Sequence, residues 1–437
     1  MARKRGFSGV LGYEFENGGH LKLSPSWYQE DLERNFDEFT PGIGYVDQVK
    51  SEVITRQNTS INYTGAINED IFLTTYYINE RVTEETKQTV VSSNNVNNPR
   101  FGELNSHKAE AQIDFALGSN HVITTGIVGY QADLVQTKNG VSELKPENPS
   151  RTNYEYYIQD DFFVTDSLEL LPGIRAQTDS DFGSHFSPKL NAMYRPDSLS
   201  QYNVRVRGGV GAGYRVPTLK ERYYEFDHSS LGYMVLGNPD LQPESSVSYQ
   251  LGIDAQFTEL VWGELSLYRN DIKDLIAEDL NADKSTPDLQ IYEYMNMARA
   301  LTQGFDASVR LSEVSGWSGN VGYSFLHAED KDTGKILVRR PKHQLKFSVN
   351  YLIAAINTNL TLLGRAESES YADSANTLVS PSNSIFDFKI NSQITDQIKL
   401  FAGVDNLTNT VRDTPSTGND FRPTEGRYIY AGATYTY

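Results

Sequence analysis

The chain contains no cysteine among its 437 residues. That excludes disulfides and cysteine-ligated zinc or iron–sulfur centres, and leaves oxidising compartments open. No run approaches the roughly 18 apolar residues of a transmembrane helix, a criterion blind to barrels, whose strands need only about 9–11 residues of alternating polarity. Basic residues are in deficit, 39 against 57 acidic ones, so the net charge of −18 argues against the clustered positive surface that nucleic-acid phosphates require. Hydrophobic residues make up only 38%, low for a chain of this length with a dry core. The opening MARKRGFSGV is basic, but no apolar segment follows it, and no signal peptide is read. No nucleophile–base–orienter set and no phosphate loop stand out. Asp160-Asp161 belongs to a strand pattern, so neither an enzyme nor a catalytic residue, cofactor or resident metal is expected.

What the chain has is tyrosine, 27 of them, and alternation. In YNVRVRGGVGAGYR, one face carries Tyr202, Val204, Val206, Gly208, Val210, Ala212 and Tyr214; the other carries Asn203, Arg205, Arg207, Gly209, Gly211, Gly213 and Arg215. A period of two over so long a stretch predicts a strand longer than the usual ones of globular sheets. Leu345, Phe347, Val349 and Tyr351 repeat the pattern, as do Phe386, Phe388, Ile390 and Ile394, and Ile429, Ala431, Ala433, Tyr435 and Tyr437. Long strands with one apolar, aromatic-ended face and one polar face predict an all-β, antiparallel transmembrane barrel, and a single domain over residues 1–437.

The connections alternate in length. Short turns fall at 16–19, 66–70, 118–121, 165–167, 258–260 and 395–397, and long links at 32–50, 86–102, 136–150, 215–241, 277–290, 329–340, 367–382 and 406–424. Outer-membrane barrels have this asymmetry, with tight periplasmic turns and long external loops. About nineteen strands are expected, with the first and last running the same way, whereas antiparallel closure of a bacterial barrel needs an even count. The odd count predicts that the first strands are missing; a mitochondrial-type parallel seam is the alternative.

One long link, Tyr214 to Glu244, is bracketed by Tyr214-Arg215-Val216-Pro217 and by Asn238-Pro239-Asp240-Leu241 followed by Pro243-Glu244. These brackets resemble the paired boxes of TonB-dependent outer-membrane receptors. YYIQDDF (156–162), LPGIR (171–175), SPKLNAMYRP (187–196), VDNLTN (404–409) and EGRYIYAGATYTY (425–437) resemble the same family in the same order. The resemblance implies a barrel of about twenty-two strands around an N-terminal plug, and localisation in the outer membrane of a Gram-negative bacterium. It also implies energy-coupled uptake of a scarce, bulky nutrient such as a ferric siderophore, haem or cobalamin. Partners would be outer-membrane lipid, a metal chelate, and the TonB–ExbB–ExbD complex acting through the plug. This chain shows neither plug nor TonB-contacting segment, and the missing first strands would be about three of roughly twenty-two, so a truncated or split receptor is the expectation. A passive porin and a soluble all-β binding protein are the rival classes.

Within the link, Tyr223, Tyr224, His228, Tyr233 and Met234, with Arg215, are the candidate ligand contacts; the family pattern itself rests on Arg215, Pro217, Asn238, Pro239, Leu241, Pro243 and Glu244. Aromatics offer flat apolar surface with polar tips. The tyrosines either line a vestibule or pack the loop. His228 stands where haem receptors of this family carry an iron ligand, but an Asp-His pair here also resembles receptors without a haem role. Arg205, Arg207 and Arg215 either attract an anionic chelate or pair with plug carboxylates. The acidic stretches at 278–288 and 327–332 suit calcium or simple solvation, and their spacing is irregular.

Overall fold

A computed structural model describes residues 2–40, 44–229, 232–411 and 426–436. Among the described residues, twenty-three strands form one sheet, antiparallel except where one short loop strand pairs in parallel. Three short strands, Val141–Ser142, Glu225–His228 and Tyr233–Leu236, belong to loops, while Ala2–Ser8 and Leu11–Glu14 pair with the same neighbour and make one stave; nineteen staves remain. Among the described residues, the first stave pairs only with His20–Thr40 and the last, Tyr428–Tyr435, only with Ile398–Asp405.

The wall is one sheet thick, and the alternation decides which side chains leave it. Ile127, Tyr154, Tyr156, Ile174, Phe186, Leu190, Val210, Tyr249, Leu251, Leu265, Val309 and Val321 are exposed in a band around the outside. Lys108, Glu110, Gln112, Tyr157, Arg175 and Lys189 point the other way and bond to one another or to inner-face neighbours such as Gln159. An apolar belt around a polar interior is the signature of a transmembrane barrel, and it accounts for the low hydrophobic content. No helix among the described residues is long and apolar enough to cross a membrane.

One rim has only compact connections, at 15–19, 67–70, 118–120, 166–167, 195–204, 257–260, 315–316, 354–357 and 394–397. The other rim carries the long excursions, although fewer than expected. Residues 32–40, 44–50 and 86–90 are strand, because His20–Thr40, Gly44–Ala66 and Ile71–Val90 run for 21, 23 and 20 residues. Crossing a bilayer takes about 9–11 residues. The remainder stands clear of the membrane, where water wets both faces. Apolar alternation therefore lapses while the backbone ladder continues. The hairpin Val261–Leu280 and Gln290–Val314 does the same, so most of the predicted link at 277–290 shrinks to 281–289. Most of the predicted link at 406–424, together with Glu425 and the terminal Tyr437, lies outside the described residues.

Two small clusters of buried apolar side chains lie at this second rim. Leu134, Leu144 and Leu219 form one cluster, with Tyr223 and Tyr224 packed against it; Ala300, Ala328 and Leu337 form another. The rim loops thus have small cores of their own.

Candidate functional site

The segment between the staves Arg205–Arg215 and Glu244–Gln256 is built in two parts. Its base is a frame. Pro217 is fully buried, its carbonyl accepting from Arg151 Nη1 at 3.2 Å. Thr218 then caps a single helical turn, Leu219–Tyr223: its Oγ1 accepts from Glu221 N, and its own N–H donates to Glu221 Oε2. This reciprocal capping satisfies two orphan donors. The chain returns through Gly237, whose N–H donates to Tyr224 O at 2.6 Å. Asn238 is the central stitch, its N–H donating to Glu221 O at 2.8 Å and its Nδ2 to Tyr294 O at 3.1 Å, while its Oδ1 accepts from Asp240 N. Leu241, 1% exposed, plugs the frame, and Asn296 holds Gln242 through both backbone groups.

Arg215 and Glu244 close the frame where the two staves emerge. Arg215 Nε donates to Glu244 Oε2 at 2.8 Å, its Nη1 reaches Glu221, and Ile276 N donates to Glu244 Oε1 at 2.8 Å. Arg205 and Arg207, near the opposite rim, both bond Asp254, whose side chain is 2% exposed. All three arginines therefore find carboxylates within their own wall.

The outer part is a hairpin, Glu225–His228 against Tyr233–Leu236, with Met234 opposite Asp227. One strand adds in parallel to Gln290–Glu293. The other side docks on the staves Val96–Leu117 and His121–Lys138. Arg100 Nη2 and Lys138 Nζ both donate to Asp227 O, at 3.0 and 2.9 Å. Arg100 Nη1 lies 2.7 Å from His228 Nε2, and Tyr233 OH lies 3.1 Å from His228 Nδ1. Phe226 completes the stack, with the His228 ring at 4.1 Å and the Arg100 guanidinium at 4.7 Å. Burial, then Arg100 and Lys138, holds the His228 imidazolium below its ordinary range. Bonds from Ser229 hold the Asp227 carboxyl low.

The candidate contacts thus fall into three places. His228 and Tyr233 meet in the hairpin, with Met234 beside them. Tyr223 and Tyr224 sit in the apolar cluster below, where burial raises both phenols above their usual range. Arg215 belongs to the frame. Both His228 ring nitrogens are engaged, so an iron ligand at Nε2 would have to displace Arg100. In the acidic stretches, Asp330 accepts from Thr333 and Asp332 pairs with Arg299. No group of three potential metal ligands converges among the described residues.

Sequence reasoning missed Arg100, Lys138, Arg151, Tyr294 and Asn296, which anchor the segment from distant staves and carry no local pattern. It also missed a cleft of about 620 Å³ beside the frame, where Tyr214 stacks on His185 (3.8 Å, 11°) and Arg222 lies between Phe182 and Tyr223. Pairing with the preceding stave stops at Lys189–Gly211. Beyond it, Tyr214 leaves the apolar row of Val210 and Ala212 and lines the cleft.

A wide, lipid-facing barrel with a framed loop folded across one rim defines a large outer-membrane-type β-barrel. The chain belongs to the TonB-dependent receptor-like β-barrel family, whose pattern matches residues 4–407. These are transport receptors, not enzymes. An iron-regulated outer membrane virulence protein of Vibrio cholerae is 27% identical over 304 residues, covering 66% of this chain and 45% of the relative. The vitamin B12 transporter BtuB of Photobacterium profundum is 24% identical across 96% of this chain and 62% of its own length. The crystal structure of the siderophore receptor PirA from Acinetobacter baumannii superposes with a TM-score of 0.77 at 19% identity, covering all of this chain and 71% of that one. The chain spans about half the length of the V. cholerae relative.

Proposed function

We propose that this chain is the barrel portion of a Gram-negative outer-membrane receptor that captures a scarce, bulky nutrient and passes it inward with energy from TonB–ExbB–ExbD. A plug would lie outside this barrel portion and carry the TonB contact. The observation that supports the reading most is the segment between Tyr214 and Glu244, a hydrogen-bonded frame with a hairpin laid over the rim of a barrel of this family. Relatives named as a ferric enterobactin receptor and a vitamin B12 transporter support a metal chelate as the cargo. Engagement of both His228 ring nitrogens argues against haem ligation there and favours chelates whose metal takes no ligand from the protein.

Outer-membrane vesicles bearing the full chain should bind ferric enterobactin or cyanocobalamin saturably, read by tyrosine and tryptophan fluorescence quenching. Absence of saturable binding to either, together with a large stable conductance in planar bilayers, would replace the receptor with a passive channel. For haem, identical Soret spectra with wild-type and His228→Ala protein are expected.

A further inference from the structure

The paired strands Glu225–His228 and Tyr233–Leu236 rest on the barrel through a contact whose chemistry admits one protonation state. A guanidinium has only donors. At 2.7 Å from Arg100 Nη1, His228 Nε2 must therefore be the bare, accepting nitrogen, which leaves the proton on Nδ1, facing Tyr233 OH. The surroundings are charged from every side. Arg100 comes from Val96–Leu117, Lys138 from His121–Lys138 and Lys50 from Gly44–Ala66; against them stand Asp227 on the hairpin itself and Glu143, ion-paired to Arg100 at 3.1 Å and 6% exposed. Three cations and two carboxylates leave no vacancy for a fourth positive charge. A proton taken from solvent at Nε2 would set N–H against N–H and cation against cation.

We propose that this hairpin is a latch over the barrel mouth, closed while His228 is neutral and released when His228 is protonated. Release breaks the Arg100–His228 bond, frees Asp227 O from Arg100 and Lys138, and separates the Phe226 stack from Arg100. The parallel ladder to Gln290–Glu293 stays as the hinge side, since none of its bonds involves a titrating group. The sign follows from the environment, which disfavours the charged ring in the closed state. Closure is fully stabilised above the ordinary histidine value of about 6.5 and weakens as pH falls toward the lowered closed-state value, by up to about tenfold per pH unit between the two. The latch would admit cargo more readily in mildly acidic surroundings, a consequence that rests on the receptor reading.

Hydrogen exchange of residues 225–236, measured by mass spectrometry on the full chain in outer-membrane vesicles without cargo, tests the latch itself. After correction for intrinsic exchange, the wild-type hairpin should exchange several-fold faster at pH 5 than at pH 7.5, with the wall staves unchanged. His228→Gln retains an acceptor and cannot titrate in this range, so its exchange should be slow at both values. Arg100→Gln should be fast at both. A wild-type hairpin indifferent to pH, or a His228→Gln hairpin that responds like wild type, overturns the proposal. Cargo binding plays no part in this readout, so a failed receptor assignment leaves it intact and a failed latch leaves the receptor assignment standing.

Discussion

Arg100 and His228 are 128 positions apart in sequence and 2.7 Å apart in space, and the same guanidinium also serves Glu143 and the Asp227 carbonyl. One side chain therefore joins a stave, the loop after the next stave, and the hairpin. Arg100→Met should leave Glu143 buried without its ion partner, a change that costs about 3–5 kcal/mol when a fully buried pair is broken. Arg100 is 15% exposed, which places the expectation at the lower end. The cost should appear as loss of hydrogen-exchange protection confined to residues 141–145 and to the hairpin at 225–236. Uniform loss across the barrel would contradict a local anchor.

Gly237 tests the frame. A Cβ there would lie 2.8 Å from Arg222 C, Tyr223 N and Tyr224 N, all backbone atoms that cannot swing aside. Gly237→Ala should open the return strand from the helical turn, at about 1–3 kcal/mol as for other overpacked sites. Limited proteolysis of intact cells should then cut within 219–243 faster than in wild type. An unchanged cleavage rate would show that the frame absorbs the methyl group.

Asp254 concerns the wall. It is 2% exposed and receives Arg205 and Arg207, both about half exposed. Asp254→Asn keeps the shape and loses the charge. Water already reaches both arginines, so the expected loss is only about 1–2 kcal/mol, visible as a lower urea midpoint for unfolding from detergent. Adding Arg205→Gln should then cost little more, because its partner is already gone.

These sites differ in how far the sequence announces them. Val206, Val210, Leu251 and Leu265 must meet lipid, and a strand repeats every two residues, so the wall and its nineteen staves can be read from polarity alone. The frame is local in part. Thr218 acts on Glu221 three residues on, and Asn238 on Asp240 and on the helical turn beside it, and turn chemistry of this kind leaves a residue signature. The extent of His20–Thr40 and Gly44–Ala66 beyond the membrane is hidden, because once both faces meet water the polarity pattern stops while hydrogen bonding continues. The anchors are hidden for a different reason. Leu144, 1% exposed and bridged to Tyr224, and Arg100 beside His228 owe their places to which loops the curvature of the wall brings together. No period encodes that.

Arg215 and Glu244 lock the two staves where the loop leaves and returns. Glu244 accepts from Arg215 through both oxygens and from Ile276 N at 2.8 Å, so it ties a third stave to the same point. Glu244→Gln keeps one carbonyl oxygen but turns an amide donor toward either the guanidinium or the Ile276 N–H, leaving a donor facing a donor. Arg215→Met removes the guanidinium and relieves that conflict in part. The two changes should therefore be non-additive, with a coupling of about 1–2 kcal/mol in a double-mutant cycle; the 42% exposure of Arg215 keeps it below the value for a fully buried pair. Urea unfolding of the four proteins from the same detergent measures it. Strict additivity would mean that the pair is held in place by the frame and does not itself hold it.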